Sequence, residues 1–435
     1  MSRTFIIKIF LVLLFCINGT LSGHILAQIS YAKYFTGQSL RIDYLLTGNA
    51  SETILTLDQF KIEPFWGGPE ANTVSPFGYG EFRIEVYDKE TGELIFIKEF
   101  STLFQEWQTT AEAKMMSRSY YQVNRIPFPR NAILLKIVKR ETENTFTILL
   151  ETNIDPGNYF ILNEKPHSFP VEAILENGDP SQKVDLVFLP EGYTKEEMQD
   201  FRDDVVRLTE SLFSFSPYKE LKSSFNIRAV MAPSEESGTD NPGEGIYRNT
   251  IMNFSYYTFD IARYLTSKDV GSIRDIAGNV PYDHIVVLIN TESYGGGGIF
   301  NHYSASTSDN YLSPIVMVHE MGHGFAGLGD EYYSSDVAYE EFYKLDEEPW
   351  EPNLTTLVDF SSKWESMLEK TTPVPTPNTP DYASSIGVFE GGGYVPKGVY
   401  RPYPDCIMKS NIPSGFCPVC QEAIRKMILY YCGKE

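Results

Sequence analysis

The sequence is short of positive charge and of long apolar runs. Its 36 Lys and Arg residues stand against 58 Asp and Glu residues, which gives a formal net charge of −22. A chain this acidic is repelled by phosphate backbones and anionic lipid, so the composition argues against nucleic acid and anionic membranes as partners. Beyond the first 27 residues no apolar run is long enough to cross a bilayer, so we expect no membrane span in the mature chain.

The first apolar run is typical of a secretory signal over residues 1–27. Basic residues such as Arg3 precede it, and the small side chain of Ala27 fits a cleavage site. A lipoprotein anchored at Cys16 is the second interpretation, but bulky Phe15 stands where a small residue is expected. We therefore expect an exported protein (periplasmic, cell-surface or extracellular). We also expect the protein to be a monomer.

Cysteine is scarce, and its distribution is uneven. Of the five cysteines, Cys16 lies in the predicted signal, and the other four lie near the C-terminus: Cys406, Cys417, Cys420 and Cys432. An even number in an exported chain favours disulfides, up to two, whose pairing the sequence does not specify. The alternative is that Cys417-x-x-Cys420 forms half of a structural zinc site.

Residues 28–165 are predicted to form an antiparallel β-sandwich. Segments rich in β-favouring residues follow one another, and Asp88-Lys89-Glu90-Thr91-Gly92 is typical of a hairpin turn. No motif in this half points to chemistry. We expect an accessory domain, with docking to a glycan or protein as an alternative role.

Residues 166–435 are predicted to form an α/β domain. Apolar strands are expected at Val184–Leu189, Phe225–Ala232 and His284–Asn290, and helices at Thr194–Phe213 and Tyr256–Thr266. The whole chain is thus expected to be an α+β protein of two domains, with the boundary in the proline-containing segment 153–173.

The motif that organises the second domain is His319-Glu320-Met321-Gly322-His323. Residues i and i+4 share one helix face, so both imidazoles can reach one metal ion, and Glu320 can take a proton from a metal-activated water. Ser313 is predicted to cap this helix, with Pro314 as its first residue, and Gly327 is predicted to end it.

Catalytic zinc needs a third protein ligand. Only six histidines exist, and metallopeptidases of the metzincin type take this ligand from just beyond a glycine turn after the second histidine. Asp330, directly after Gly329, is our preferred ligand. Glu331 remains either the alternative ligand or a supporting group, and His302 is a further candidate for a role in the site.

Two other segments bear on the site. The run Gly295-Gly296-Gly297-Gly298 leaves its backbone uncovered and could pair with an extended peptide, although a flexible loop is the simpler interpretation. Met408 lies in a predicted turn downstream of the zinc helix, where its sulfur can pack beneath the metal ligands.

These motifs together resemble the bacterial IgA-peptidase family, family 64 of the metallopeptidases. The segments that carry the resemblance are HEMGHGFAGLGDEYY, DCIMKS and FCPVC. It implies a metzincin-like zinc endopeptidase with a signal and a β-rich N-terminal domain. By position, His319, His323 and Asp330 would bind zinc, Glu320 would be the general base, and Met408 would be the Met-turn residue.

The predicted function is hydrolysis of peptide bonds in proteins or glycoproteins by a secreted, zinc-dependent endopeptidase. Tyr400, Tyr403 and His302 are candidates to stabilise the oxyanion. The alternative is an exported protein that binds glycans or proteins and retains a vestigial zinc site. The intact Glu320 argues against this alternative, because a vestigial site does not need a base.

Overall fold

The structure is a computed structural model that describes residues 29–164, 167–333, 342–411 and 415–434. The predicted signal therefore lies outside the described residues. Among the helices in the described part of the chain, none has the length and apolar character needed to cross a membrane.

The N-terminal region consists of antiparallel strands in two sheets, ordered β2-β1-β5 and β4-β3-β6-β7. The two short helices are α1 (Tyr31–Tyr34) and α2 (Leu103–Gln108). The strands are β1 (Phe35–Gly48), β2 (Thr53–Glu63), β3 (Phe82–Asp88), β4 (Leu94–Phe100), β5 (Arg118–Pro129), β6 (Ile133–Arg140) and β7 (Phe146–Ile154).

The C-terminal region is built on a six-stranded sheet of order β12-β13-β11-β9-β10-β8. Its four inner strands are parallel and both edge strands are antiparallel. The strands are β8 (Val171–Leu175), β9 (Val184–Glu191), β10 (Phe225–Val230), β11 (His284–Ile289), β12 (Gly296–Ile299) and β13 (Tyr303–Thr307). A separate hairpin joins β14 (Phe389–Gly392) and β15 (Val395–Arg401).

Helices cover both faces of this sheet. They are α3 (Met198–Leu212), α4 (Val270–Ala277), α5 (Ser313–Ala326) and α6 (Pro418–Tyr431). Strand β9 is buried along its whole length, as expected for a central strand that is covered on both sides. Its alternating side chains enter two different cores: Leu186 packs with α3, α5 and α6, whereas Val187 packs with α4 and the N-terminal sheets.

The N-terminal and C-terminal regions therefore share one hydrophobic core. Buried side chains of β1 and β3 belong to the same cluster as those of β9, β11 and α4. A buried cation also links the regions: the Arg125 guanidinium on β5 lies 3.4 Å from the ring centroid of Tyr282 and donates to the Tyr282 carbonyl oxygen at 2.6 Å. The N-terminal region is thus attached directly to the sheet that carries the candidate site.

The prediction of a mixed α and β chain with a β-rich N-terminal domain is confirmed. The boundaries at residues 28–165 and 166–435 remain a prediction. The helix expected over Tyr256–Thr266 is wrong, because Tyr257, Phe259 and Asp260 take positive φ angles that no continuous helix allows.

The favoured disulfides are also absent from the structure. Cys406, Cys417, Cys420 and Cys432 are all buried thiols. Cys420 and Cys432 stand twelve positions apart, near the two ends of α6, which separates them by about 18 Å at 1.5 Å per residue. A disulfide needs Cα atoms within about 7 Å, so these two cysteines cannot pair in this fold.

Candidate metal centre

The HExxH segment lies on α5, as the sequence predicts. Pro314 stands in the first turn, and Gly327 ends the helix with a φ of 66°, a left-handed conformation that favours glycine. The predicted N-cap residue is wrong by one position: Ser313 is already the first residue of the helix, and Leu312 occupies the N-cap position. On this helix His319 and His323 face the same side, with their Nε2 atoms 3.0 Å apart.

Two backbone carbonyls fix the orientation of the imidazoles. His319 Nδ1 donates to the Ile407 carbonyl oxygen at 3.0 Å, and His323 Nδ1 donates to the Leu328 carbonyl oxygen at 2.6 Å. A carbonyl can only accept, so each Nδ1 carries the proton in the neutral ring. Each Nε2 then presents a lone pair to the same point in space.

Asp330 completes a triangle of ligand atoms. Its Oδ1 lies 3.2 Å from the Nε2 atoms of both His319 and His323. Its Oδ2 accepts a hydrogen bond from the Tyr394 hydroxyl at 2.7 Å, which holds the carboxylate with Oδ1 towards the histidines. This outer contact comes from the turn between β14 and β15.

These three atoms fit zinc. With Zn–N and Zn–O bonds of about 2.0–2.1 Å, tetrahedral ligand atoms lie about 3.3 Å apart, and the observed separations are 3.0, 3.2 and 3.2 Å. Apart from the two imidazoles, Asp330 Oδ1 has no hydrogen-bond partner among the described residues and is buried. A bound cation would satisfy an oxygen that is otherwise costly to bury.

The charges in the site also favour a cation. Burial by itself raises the pKa of Asp330, but the two histidines hold it well below its usual value. Burial lowers the pKa of His323, yet Asp330 outweighs this and raises it to about 10. A group of side chains that binds a proton so readily has the electrostatic potential to bind a metal ion.

Glu320 stands beside the ligand atoms against the glycine strand β12. A Cβ atom on Gly298 would lie 2.5 Å from the Glu320 carbonyl oxygen and 3.1 Å from its Oε2. Only glycine permits this approach between β12 and α5. Burial raises the pKa of Glu320, although the neighbouring imidazoles oppose the shift. A raised pKa suits a group that must accept a proton and then release it.

Met408 packs beneath α5. A Cβ atom on Gly322 would lie 2.6 Å from the Met408 sulfur. The Met408 side chain therefore contacts α5 at Gly322, a residue that lies between His319 and His323 in the sequence. The Met408 carbonyl oxygen also accepts from the backbone N–H of Glu331 at 2.8 Å. The turn that carries Met408 therefore supports both the helix and the loop that supplies Asp330.

Comparison with known protein families agrees with this geometry. The family model for IgA Peptidase M64 matches residues 172–382 and 378–428, and the model for the Peptidase M64 N-terminus matches residues 30–151. The chain belongs to the M64 peptidase family. No curated protein matches the sequence.

Membership of the M64 family makes the chain a metallopeptidase by family. The matched ranges contain both halves of the site, since the HExxH helix and the turn that carries Met408 fall within them. The resemblance stated from the sequence motifs is thereby confirmed.

The M64 N-terminal region also reaches the candidate site, which sequence reasoning did not predict. A cavity of about 520 Å³ surrounds the HExxH face, and Gln105 and Glu106 of α2 line it together with Arg263 and Tyr264. The Tyr264 hydroxyl donates to Glu106 Oε2 at 2.5 Å. Burial raises the pKa of Glu106 to about 7. No local motif marked Glu106, because it approaches only through tertiary packing.

Several other sequence candidates lie elsewhere. His302 is buried against Arg274, with its Nδ1 3.1 Å from the guanidinium, and it does not line the cavity. Tyr400 and Tyr403 do not line it either, whereas Tyr332 and Tyr394 do. These three candidates for the oxyanion role therefore lie outside the cavity, and tyrosines from other segments present their side chains to it.

Two alternatives from the sequence remain: Glu331 as the third metal ligand, and the glycine run as a loop or a peptide-binding edge. Glu331 points away from the histidines, and its Oε1 lies 3.2 Å from Cys420 Sγ. It is therefore not placed to be the third ligand of this site. Three of the four glycines, Gly296 to Gly298, lie in strand β12 rather than in a loop. The Gly296 carbonyl oxygen already accepts a hydrogen bond from the Leu265 N–H at 3.2 Å.

Proposed function

We propose that this chain is an exported, zinc-dependent endopeptidase that hydrolyses peptide bonds of proteins or glycoproteins. His319, His323 and Asp330 would hold the zinc ion. The observation that carries the proposal is the convergence of three acceptor atoms within 3.2 Å of one another, on a cavity wall beside Glu320.

The chain's own residues supply proton transfer and positioning. Bound zinc is a Lewis acid that lowers the pKa of water and polarises a carbonyl group. Glu320 accepts the proton of the attacking water and delivers it to the leaving amine. The hydroxyl of Ser304 on β13 donates to the Glu320 carbonyl oxygen at 2.8 Å and so fixes this turn of α5.

The decisive variant is Glu320→Gln, which keeps the shape of the side chain and removes the base. We expect it to retain zinc and to lose roughly 10²–10⁴-fold in kcat on a mixed peptide library. The exposed Glu365→Gln is the matched control, with zinc content and cleavage unchanged. Cleavage by Glu320→Gln at the wild-type rate would refute the assignment of the base.

The alternative is an exported binding protein with a vestigial site. It predicts that the wild-type chain binds zinc and captures glycans or glycoproteins but cleaves no peptide in the library. Export itself is tested by expressing the full chain with its own N-terminus. We expect the exported form to begin at Gln28 and to elute as a monomer; a retained residue 1 would contradict the signal at residues 1–27.

A further inference from the structure

A second cluster of metal-binding side chains lies behind the candidate catalytic centre. Glu331, Cys406, Cys417 and Cys420 each place one ligand atom within 4.8 Å of all the others. All four residues are buried, with at most 4% of their surface exposed. They come from three segments: the loop after α5, the turn that carries Met408, and the start of α6.

The spacing of these atoms suits a four-coordinate metal. Zn–S bonds of about 2.3 Å and Zn–O bonds of about 2.1 Å place tetrahedral ligand atoms about 3.6–3.8 Å apart. The Cys420 Sγ to Glu331 Oε1 distance is 3.2 Å, and the full set stays within 4.8 Å. The 4.8 Å upper limit exceeds the tetrahedral separation by about 1 Å, and the one distance of 3.2 Å falls below it by about 0.4 Å.

Disulfide formation does not account for this cluster. Three cysteines meet here, so one pair would leave one thiol over. The fourth cysteine cannot complete a second pair, because Cys432 lies near the far end of α6 with its Sγ 3.8 Å from the Ser224 carbonyl oxygen.

Glu331 itself calls for a further partner. Asn353 Nδ2 donates to its Oε1 at 3.0 Å, but its buried Oε2 has no hydrogen-bond partner within the described ranges. A buried carboxylate oxygen without a partner is strongly disfavoured in an apolar environment. Thiolate sulfur and carboxylate oxygen are both zinc ligands, and four protein ligands are typical of a structural rather than a catalytic site.

We propose that Glu331, Cys406, Cys417 and Cys420 bind a second, structural zinc ion. This site is separate from the one formed by the HExxH helix, and it does not depend on peptidase activity. Cys417-x-x-Cys420 supplies two ligands from the first turn of α6, and Glu331 and Cys406 supply the other two from distant parts of the chain.

The position of the second site explains what it would stabilise. Glu331 follows Asp330 directly, and Cys406 precedes Ile407, whose carbonyl oxygen orients His319. The Glu331 N–H also donates to the Met408 carbonyl oxygen at 2.8 Å. A metal that joins Glu331 to Cys406 therefore fixes the Asp330 loop and the Met408 turn relative to each other and to α6.

The test is metal content and metal coordination of the full chain, purified without chelators. Four proteins are compared: wild type, the double variant His319→Ala/His323→Ala, Cys417→Ser, and the control Cys432→Ser. We expect two, one, one and two zinc ions per chain. X-ray absorption at the zinc edge should show sulfur ligands in the double histidine variant, in which only the second site remains.

Each outcome decides the question. If the double histidine variant holds no zinc, or holds zinc without sulfur ligands, the proposal is overturned. It is also overturned if mass spectrometry of the unreduced protein finds a disulfide among Cys406, Cys417 and Cys420. Should Cys417→Ser fail to fold, the double histidine variant still decides, because it leaves the cysteine cluster intact. A failure of the proposed peptidase function would appear separately, as a lack of cleavage in a protein that retains both ions.

Discussion

The hydroxyl of Tyr394 is expected to control metal affinity at the HExxH site. It donates to Asp330 Oδ2 at 2.7 Å and so aims the opposite oxygen at the two histidines. Tyr394→Phe removes this hydrogen bond and keeps the ring. The carboxylate can then rotate away from the position that it needs to bind the metal.

The size of the effect follows from the contact. A hydrogen bond to a charged group contributes about 1.5–3 kcal/mol. Loss of an outer partner of a metal ligand typically costs about 10–100-fold in metal affinity, which corresponds to about 1.4–2.7 kcal/mol. The two estimates agree, so we expect the dissociation constant for zinc to rise about 10–100-fold in Tyr394→Phe.

Tyr343→Phe is the matched control. Its hydroxyl also lines the cavity and bonds to a buried carboxylate, but that carboxylate is Glu351, with Oε1 at 2.9 Å. Both variants lose a buried hydrogen bond from a tyrosine hydroxyl to a carboxylate, of 2.7 Å for Tyr394 and 2.9 Å for Tyr343, and should lose similar stability. Only Tyr394→Phe should lose zinc affinity.

The assay is competition for zinc with a fluorescent chelator at neutral pH. The double variant His319→Ala/His323→Ala serves as the reference for zinc held elsewhere in the chain. If Tyr394→Phe binds zinc like wild type while kcat falls, Tyr394 acts on the reacting substrate rather than on Asp330. That result, or equal affinity losses in both tyrosine variants, would refute the reasoning.

Two further predictions concern activity. Gly298→Ala should lower kcat/KM about 100-fold, because its Cβ would lie 2.5 Å from the Glu320 carbonyl oxygen and a shift of about 1 Å at a catalytic group costs that much. The control is Gly37→Ala, whose Cβ meets no atom within 4 Å and which should leave peptide cleavage unchanged. Wild-type rates in both variants would contradict the close contact at Gly298. Glu106→Gln should remove an ionisation near pH 7 from the pH profile of KM. In the wild-type protein the cavity gains a negative charge as the pH rises through about 7, so KM for a cationic peptide should fall over that range. In the variant KM should stay level. Identical profiles would show that Glu106 does not titrate in the cavity.

The sequence by itself determined the local part of the site. Histidines four positions apart share a helix face wherever the helix lies, and Gly327 turns the chain so that Asp330 can return to them. These relations span few residues and depend on backbone geometry alone. For the same reason three of the six strands of the sheet, β9, β10 and β11, and the helix α3 were predictable from their apolar spacing.

Only the tertiary structure decided the rest. Tyr394 reaches Asp330 from a hairpin 64 positions later, and Glu106 reaches the cavity from the N-terminal region. The same packing turned Glu331 away from the histidines and towards the cysteines, and it kept Cys432 apart from them. Such contacts depend on how sheets and helices pack across a shared core, and no pattern of neighbouring residues specifies that arrangement.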